Sequence, residues 1–297
     1  MIVNRANLQM AFTGYKAAFQ KAFDSAPIDY QDLVLEVPST TSQEAYPWLG
    51  QTTGFREWIG DRVIQALKQH NYFIVNKSFE NTVGVPREAF EDDQYGVYAP
   101  MMSQLGQDAK EHPAELVYNM LKNGFTQKGY DGQFFFDTDH PVTNADGAEV
   151  SVSNFQGGGG IPWFIMDTSR YVKPMILQKR KDYNFVSMDT ENNEAVFMRK
   201  EYRYGADARL NVGYALWQLA YASKQDLTEE NFDAAITAMQ NLKGDNGRSL
   251  NIRPTVLVVP PSYRKKALKL LEAEVLTGGE TNVNKNLVKV KVTPWLA

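Results

Sequence analysis

The sequence predicts an α+β fold, and its hydrophobic pattern gives three reasons. Apolar residues recur at steps of three and four near the N-terminus, they recur at helical spacing over residues 94–125, and short β-branched runs such as residues 255–259 lie further along the chain. Helical spacing indicates amphipathic helices, whereas a short apolar run bounded by turn residues is typical of a buried strand. With 297 residues, 43% of them hydrophobic, the chain is long enough to bury a substantial core.

The composition excludes several kinds of site. Cysteine is absent, which removes disulfides, thiolate nucleophiles and thiolate metal sites. The net charge of −4 is unfavourable for gripping nucleic acid, because phosphate binding depends on clustered Lys and Arg. No apolar run approaches the roughly 20 residues that a membrane-spanning helix needs, and no signal-like leader opens the chain. We therefore expect a soluble protein without a cofactor.

The first element is an amphipathic helix that ends before Pro27. A Ser/Thr-rich segment follows it and runs to Gly50. One helix on a loose tether has little of its own chain to pack on, so we expect an arm that docks elsewhere. The helix face comprises Leu8, Phe12, Tyr15, Phe19 and Phe23, and the residues expected to contact a neighbour are Leu8, Phe12, Phe19 and Trp48.

Residues 55–90 are expected to form a long hairpin-like excursion. Residues 72–75 have the β-branched and aromatic content of a strand. Apolar and oppositely charged side chains alternate just before them, which favours a contact surface over a closed core. An active-site ion network is the alternative interpretation, and a salt-bridged contact surface is favoured. The residues concerned are Arg56, Glu57, Trp58, Asp61 and Arg62.

A long helix is expected over residues 94–125. Asp92 and Asp93 precede it, where acidic residues favour a helix start, and Asn123-Gly124 is a typical stop. Pro113 falls inside this span, so the helix is expected to kink or restart there.

The C-terminal half alternates turns, strands and helices. Residues 130–160 are rich in turn residues, and residues 196–222 are strand-like. Thr228 is a plausible N-cap for a helix that stops at Gly244. A buried strand is expected at 255–259, then a helix from Pro260 that ends at 278–279, and finally a half-buried strand with alternating valines at 288–292 that stops at Pro294.

The strongest catalytic-looking cluster is Asp137, Asp139 and His140. Two carboxylates and an imidazole could bind a divalent cation or act as acid and base. On an extended segment, however, Asp137 and Asp139 point to one side and His140 points to the other. A turn in which the Asp side chains accept hydrogen bonds from nearby backbone N–H groups is the favoured interpretation. No nucleotide, zinc-protease or serine-hydrolase motif is present, so no catalytic residue and no metal ligand is assigned.

Twelve short segments resemble the Mu-like major head subunit family, and their order and spacing span nearly the whole chain. They are VPSTT at 37–41, YPWLG at 46–50, REWIGDR at 56–62, EDDQ at 91–94, FFFDTDHP at 134–141, SVSN at 151–154, DTSR at 167–170, YGADAR at 204–209, WQLA at 217–220, RPT at 253–255, VVPP at 258–261 and PWLA at 294–297.

This resemblance implies the Hong Kong 97-type phage capsid fold. The expected parts are an N-terminal arm at 1–50, an extended E-loop at 51–93, a peripheral domain with its spine helix at 94–165, an axial domain at 166–279, and a strand at 280–297 that returns to the peripheral domain.

The resemblance also implies a function in assembly and not in catalysis. The chain would be a major capsid protein whose pentamers and hexamers tile an icosahedral shell around double-stranded phage DNA, without sequence-specific binding to it. Its other expected partners are a scaffold and a maturation protease during assembly, a portal, and a possible decoration protein. It would assemble in the host cytoplasm, reside in the virion and involve no membrane. The alternative is another phage structural protein: a tail tube, a portal or a head-completion ring.

Overall fold

The computed structural model describes residues 4–50, 72–92, 94–190, 194–275 and 279–297. These residues form six α-helices and twelve strands, which confirms the α+β prediction. The helices are α1 Arg5–Ser25, α2 Arg87–Glu91, α3 Ala99–Lys122, α4 Glu194–Arg199, α5 Glu229–Gln240 and α6 Arg264–Leu271. The strands are β1 Val34–Pro38, β2 Gln43–Ala45, β3 Phe73–Val75, β4 Lys77–Pro86, β5 His140–Thr143, β6 Glu149–Val152, β7 Trp163–Met166, β8 Met175–Met188, β9 Glu201–Tyr214, β10 Ala220–Ser223, β11 Val256–Val259 and β12 Lys289–Val292.

The frame of the molecule is a four-stranded sheet, called here the long sheet, with the strand order β1-β8-β9-β4. β8 and β9 contain 14 residues each and run antiparallel, while β1 lies parallel to β8. Along β9 the buried side chains of Tyr202, Tyr204 and Ala206 alternate with the partly exposed Arg203 and Asp207. This period of two is what a strand needs when it buries one face only.

A second sheet, called here the short sheet, has the order β10-β7-β11-β12. β7 and β11 are buried along their whole length, which confirms the buried strand expected at 255–259. β12 forms as expected and pairs in parallel with β11, at the edge of this sheet. The short turn Pro294–Leu296 that follows β12 packs on α3. The last strand therefore joins the sheet that also holds β7 and β11.

The two sheets cross the domain boundaries expected from the sequence. β7 ends at the expected boundary between residues 165 and 166, yet it pairs with β10 and β11, which lie far beyond it. β8 and β9 lie within 166–279, yet they pair with β1 and β4 from the first hundred residues. The division into peripheral and axial domains remains a prediction.

α3 is one continuous helix that passes through Pro113. Of the kink or restart expected at this proline, the restart does not occur. Buried residues pack the helix on both sides of the proline: Ala109 in one apolar cluster, Ala114 and Val117 in the other. A 3-10 turn at Tyr95–Tyr98 takes the place of the first expected turn of the helix.

Two further helices test the boundary predictions. α5 begins as expected, with the side chain of Thr228 accepting a hydrogen bond from the backbone N–H of Asn231. α6 ends at Leu271, several residues before the expected stop at 278–279. The backbone N–H of Glu272 makes the last helical hydrogen bond, to the carbonyl of Leu268. The side chain of Asn282 then donates to the carbonyls of Leu270 and Ala273 and so caps the C-terminal end of the helix.

α1 packs within its own chain, against α3 and against the end of the long sheet that contains Phe185 and Tyr204. Its face joins a cluster, called here the helix cluster, and the phenolic OH of Tyr15 donates to the carbonyl of Tyr95 at 2.6 Å. The expectation that this helix has little of its own chain to pack on is wrong, because its partners come from remote parts of the sequence. The buried members of the helix cluster are Leu8, Ala11, Tyr15, Phe19, Val85, Phe90, Met102, Leu105, Ala109, Phe185, Val196, Tyr202, Tyr204 and Ala206.

Among the described segments, no helix combines the length and the apolar character that crossing a bilayer requires.

Candidate functional site

The catalytic-looking motif at 134–141 is placed at the entry to β5, and it brings His140 into the interior. The His140 ring is fully buried and stacks on the indole of Trp217, with 4.0 Å between centroids and 10° between planes. Its Nδ1 lies 2.6 Å from Oδ2 of Asp131, and its Nε2 lies 3.1 Å from Oδ1 of Asn154. These four side chains are called here the histidine cluster.

Asn154 joins two other backbone segments, the turn at 135–137 and the stretch at 217–220. Its Nδ2 donates to the carbonyls of Phe135 at 2.8 Å, Ala220 at 3.2 Å and Trp217 at 3.3 Å. Its Oδ1 accepts the backbone N–H of Asp137 at 2.9 Å. The histidine cluster therefore ties the turn before β5 to the short sheet, because Ala220 begins β10.

The two carboxylates of the motif do not meet His140. Asp137 accepts the backbone N–H of Thr138 at 2.8 Å and that of Phe134 at 3.2 Å, and Asp139 is exposed. This is the turn that the sequence favoured. In the part of the chain that the structure describes, no three His, Asp or Glu side chains gather closely enough to hold a metal ion.

The carboxylate that does meet His140 comes from Asp131, which the sequence reasoning missed. Asp131 lies nine positions earlier, and a tight turn that includes Gly132 with φ +85° folds it back. The side chain of Asp131 is only 5% exposed, so the pair is closed to a substrate. Its geometry is that of a structural clamp.

The second notable site is the base of the expected hairpin, where β2 pairs antiparallel with β3. Gln178 of β8 is fully buried at this base. It accepts the phenolic OH of Tyr46 at 2.8 Å and donates to the carbonyl of Ile74 at 3.0 Å and to Oδ1 of Asn76 at 2.9 Å. One side chain of the long sheet thus holds both sides of the hairpin base.

A carboxylate closes the loop that leads into β2. Glu44 accepts hydrogen bonds from the backbone N–H of Thr40, the hydroxyl of Ser39 and the backbone N–H of Thr41. Because these bonds favour the ionised carboxylate, they lower the pKa of Glu44 to about 2. The loop is thereby stabilised by a charge that persists into acid.

The residues expected to contact a neighbouring copy fall into three groups. Leu8 and Phe19 are buried in the helix cluster, so their contacts within this chain are already made. Phe12 is half-buried and stacks on Phe185 at 5.7 Å, while Trp48 is 37% exposed beside Tyr46. Arg56, Glu57, Trp58, Asp61 and Arg62 lie outside the described residues. Contact with another copy stays a prediction for all of them.

A different surface carries large apolar side chains into solvent. At the far end of the long sheet, Phe197 is 83% exposed and Met198 is 69% exposed, and both lie on the short helix α4. Met188 at the end of β8 is also exposed. It pairs with Arg203 of β9, four residues after the end of α4 at Arg199. Because large contiguous apolar patches mark contact surfaces, these neighbouring exposed side chains are a candidate for one. The sequence of residues 196–222 is strand-like, so it did not predict that Phe197 and Met198 would lie exposed on a helix.

Comparison with known proteins gives a match over nearly the entire chain. The family model described as Mu-like prophage major head subunit gpT matches residues 8–296. The major capsid protein of Escherichia phage Mu is 40% identical over 293 residues, which are 97% of this chain and 96% of that protein. The Mu-like prophage FluMu major head subunit of Haemophilus influenzae is 45% identical over 271 residues, which are 89% and 88% of the two chains.

Solved shell structures match equally completely. A subunit of the procapsid of bacteriophage JBD30 is 45% identical, with a TM-score of 0.88 over 99% of this chain and 100% of that one. A subunit of the bacteriophage JBD30 capsid is 34% identical, with a TM-score of 0.80 over 100% of both chains. A subunit of the JBD30 capsid decorated with minor capsid protein trimers is 35% identical, with a TM-score of 0.78 over 94% of both.

Proposed function

Because the chain belongs to the Mu-like prophage major head subunit family, we propose that it is the major capsid protein of a Mu-like phage or prophage and builds the head shell from copies of itself. Its fold is the Hong Kong 97-type phage capsid fold. The observation that carries the proposal is the match, along the whole chain, to a subunit of an assembled procapsid at 45% identity.

The subunits form pentamers and hexamers, and these close into an icosahedral shell around double-stranded DNA. Closed shells need contacts that repeat by symmetry, and each copy must present the same surfaces to its neighbours. The net charge of −4 is more consistent with a shell that encloses DNA than with a protein that binds it tightly. A strongly basic inner wall would bind the phosphates and hold the DNA during entry and ejection.

The proposed parts of the subunit keep the boundaries expected from the sequence, although both sheets draw strands from more than one part. α3 is the spine helix of a peripheral domain at 94–165, and residues 166–279 make up most of an axial domain. Residues 51–93 are the E-loop, whose base is the β2–β3 pair held by Gln178. Residues 1–50 are the arm, and residues 280–297 are the strand that returns to the peripheral domain. Contacts between copies use Trp48 and the charged segment from Arg56 to Arg62, together with the exposed α4 patch.

Assembly takes place in the host cytoplasm and the product is the virion. A scaffold, a maturation protease and a portal assist it. A decoration protein is a further partner, and the minor capsid protein trimers on the JBD30 capsid support this. The chain takes no cofactor and catalyses no reaction, and the closed histidine cluster supports a structural role.

Negative-stain electron microscopy of the purified full-length protein tests the proposal. Shells, or pentamers and hexamers that convert to shells, are the expected result. Open tubes would favour a tail-tube protein, and isolated rings of a fixed larger size would favour a portal or head-completion protein. A protein that stays monomeric under every assembly condition would overturn the proposal.

A further inference from the structure

A groove of about 330 Å³, called here the α3–β4 groove, opens between α3 and β4, and its surface is mainly apolar. Three buried residues and three half-buried aromatic residues form this apolar lining: Leu105, Ala109, Ala206, Phe79, Tyr183 and Trp295. An apolar cavity of about 150 Å³ is large enough to hold benzene. The groove therefore has room for an aromatic side chain that enters from outside.

Four carboxylates also line the α3–β4 groove: Glu80 of β4, and Asp108, Glu111 and Glu115 of α3. Glu111 is half-buried and the other three are exposed, which places them towards the mouth of the groove. The first three accept hydrogen bonds from neutral side chains of their own helix or strand. Among the described residues, no Lys or Arg forms an ion pair with any of the four. The groove therefore suits a group that is both apolar and positively charged.

The helix α4 presents this combination on the surface of the same chain. Phe197 is 83% exposed and Met198 is 69% exposed, and the exposed Arg199 follows them directly. In the part of the chain that the structure describes, Arg199 forms no ion pair. Val196 is buried in the helix cluster and so fixes α4 at its own end of the long sheet. Because α4 is held there with its apolar side chains in solvent, a groove that receives them must belong to another copy.

We propose that α4 of one copy inserts Phe197 and Met198 into the α3–β4 groove of a second copy, with Arg199 facing the carboxylates at its mouth. This docking rests on the proposed function in a shell, and it names the surface that receives the exposed α4 patch. Burial of the two apolar side chains supplies the favourable free energy, and the opposite charges fix the orientation.

The two surfaces differ in shape and charge, so the contact between them is heterologous. Heterologous contacts join copies head to tail and generate closed rings when the rotation between copies allows it. Pentamers and hexamers are rings of this kind. The carboxylates of the groove would repel nucleic acid and acidic peptides, which favours α4 of a second copy as the occupant.

Cross-linking between single-cysteine variants tests the docking directly, because the native chain contains no cysteine. Arg199→Cys and Asp108→Cys subunits, one of them carrying a size tag, are mixed, assembled and treated with a short thiol-to-thiol cross-linker. Each subunit then has one thiol, so a dimer of mixed size can form only between copies. We expect this mixed dimer to form in the assembled particles.

Gln107→Cys is the matched control, since Gln107 is exposed on α3 beside Asp108 but does not line the groove. Mixed with Arg199→Cys subunits, it should give a several-fold lower yield of mixed dimer than Asp108→Cys gives. Equal yields from the two positions, or no mixed dimer from either, would overturn the docking.

Charge reversal on each side tests the same contact in assembly. Arg199→Glu on α4, and Asp108→Arg with Glu111→Arg in the groove, should each lower the yield of shells at least about tenfold, because the lost contact recurs at every copy. Combining all three changes in one chain restores opposite charges and should restore the shells. Recovery in the combined variant also shows that the changes leave the fold intact.

Electron microscopy of the native protein separates this inference from the function on which it rests. Native protein that forms no shells would overturn both of them together. Native shells, with shells of normal yield from either charge-reversed side, would overturn the docking alone. A combined variant that assembles no better than its parents would also count against the docking.

Discussion

Gly106 of α3 lies directly against the carbonyl of Phe19 of α1: a Cβ built on Gly106 would fall 2.2 Å from that oxygen. The atom in the way is backbone and not the end of a flexible side chain, so the helices would have to move apart to admit a methyl group. The absence of a side chain at this one position therefore sets the distance between the two helices.

Replacing Gly106 with alanine should destabilise the protein by about 1–3 kcal/mol, the usual cost of overpacking a core. Urea unfolding monitored by tryptophan fluorescence measures this. Gly14 of α1 is the matched control, because it is exposed and a Cβ there meets nothing within 4 Å. Gly14→Ala should leave stability unchanged or raise it by about 0.5–1 kcal/mol. Equal effects of the two changes would contradict the close crossing.

Gln178→Ala should weaken the structure around the antiparallel pair of β2 and β3. It removes the acceptor of the phenolic OH of Tyr46, and it removes one donor each from the carbonyl of Ile74 and from Oδ1 of Asn76. An unsatisfied buried polar group costs about 1–3 kcal/mol, so a loss of at least that size is expected in urea unfolding. Gln107→Ala is the control, since Gln107 is exposed and, among the residues that the structure describes, its side chain bonds only to Glu111 one turn away. A loss of stability no larger than that of the control would contradict the role of Gln178.

Glu44→Gln should reveal a pH-dependent difference in melting temperature. The pKa of Glu44 is lowered to about 2 from a usual value of 4.5. The ionised carboxylate therefore stabilises the fold at pH values above the pKa of Glu44 in the unfolded chain. This stabilisation is lost as the pH falls through the pKa of Glu44 in the folded protein. The gap between the native protein and the variant should be constant above about pH 5 and shrink towards pH 2. A gap that stays constant down to pH 2 would refute the assignment.

His112 should make the protein less stable in mild acid. Burial lowers the pKa of His112, and the opposing effect of the Glu115 carboxylate, which raises that pKa, is smaller. Nδ1 of His112 lies 2.5 Å from the phenolic oxygen of Tyr183. The unfolded chain therefore binds a proton that the folded protein resists, and stability falls as the pH drops below the ordinary histidine value of about 6.5. His112→Gln removes this group. Melting curves from pH 8 to pH 5 should converge for the two proteins, and a constant separation would disprove the effect.

Phe197→Ser should impair shell assembly without changing the stability of the subunit. Phe197 is 83% exposed, and surface changes usually alter stability by no more than about 0.5 kcal/mol. Counting particles by electron microscopy and measuring urea unfolding separate the two effects. Phe232→Ser is the contrasting control, because Phe232 is fully buried and its loss should cost about 3–5 kcal/mol. Normal particle yield from Phe197→Ser would exclude the α4 patch from the contacts.

The sequence predicted best those features that depend on neighbouring residues. The cap at Thr228, the buried strand β11 and the alternating strand β12 all follow from local pattern and turn residues. The apolar face of α1 was also predicted, but the helix it packs on was not. That helix, α3, lies more than 70 positions further along the chain, and hydrophobic periodicity does not show which distant segments are in contact.

The histidine cluster shows the same limit at shorter range. The motif at 134–141 identified His140 as unusual and the turn around Asp137 correctly. The partner of His140 was missed because Asp131 reaches it only through the fold of the intervening turn, which no spacing rule describes. Partners joined through irregular backbone are the part of a site that a single sequence predicts least well.

The pairing of β1 with β8 has a consequence for the rate at which the subunit folds. Val34 aligns with Met175, so the strands come together in parallel across 141 positions of chain, the difference between 175 and 34. Closing so long a loop costs entropy before any contact repays it, and parallel pairing at this separation is intrinsically slow. Until β1 docks, one side of β8 exposes unpaired backbone to other newly made chains. The time a new subunit spends with this edge open sets how long it is vulnerable to aggregation.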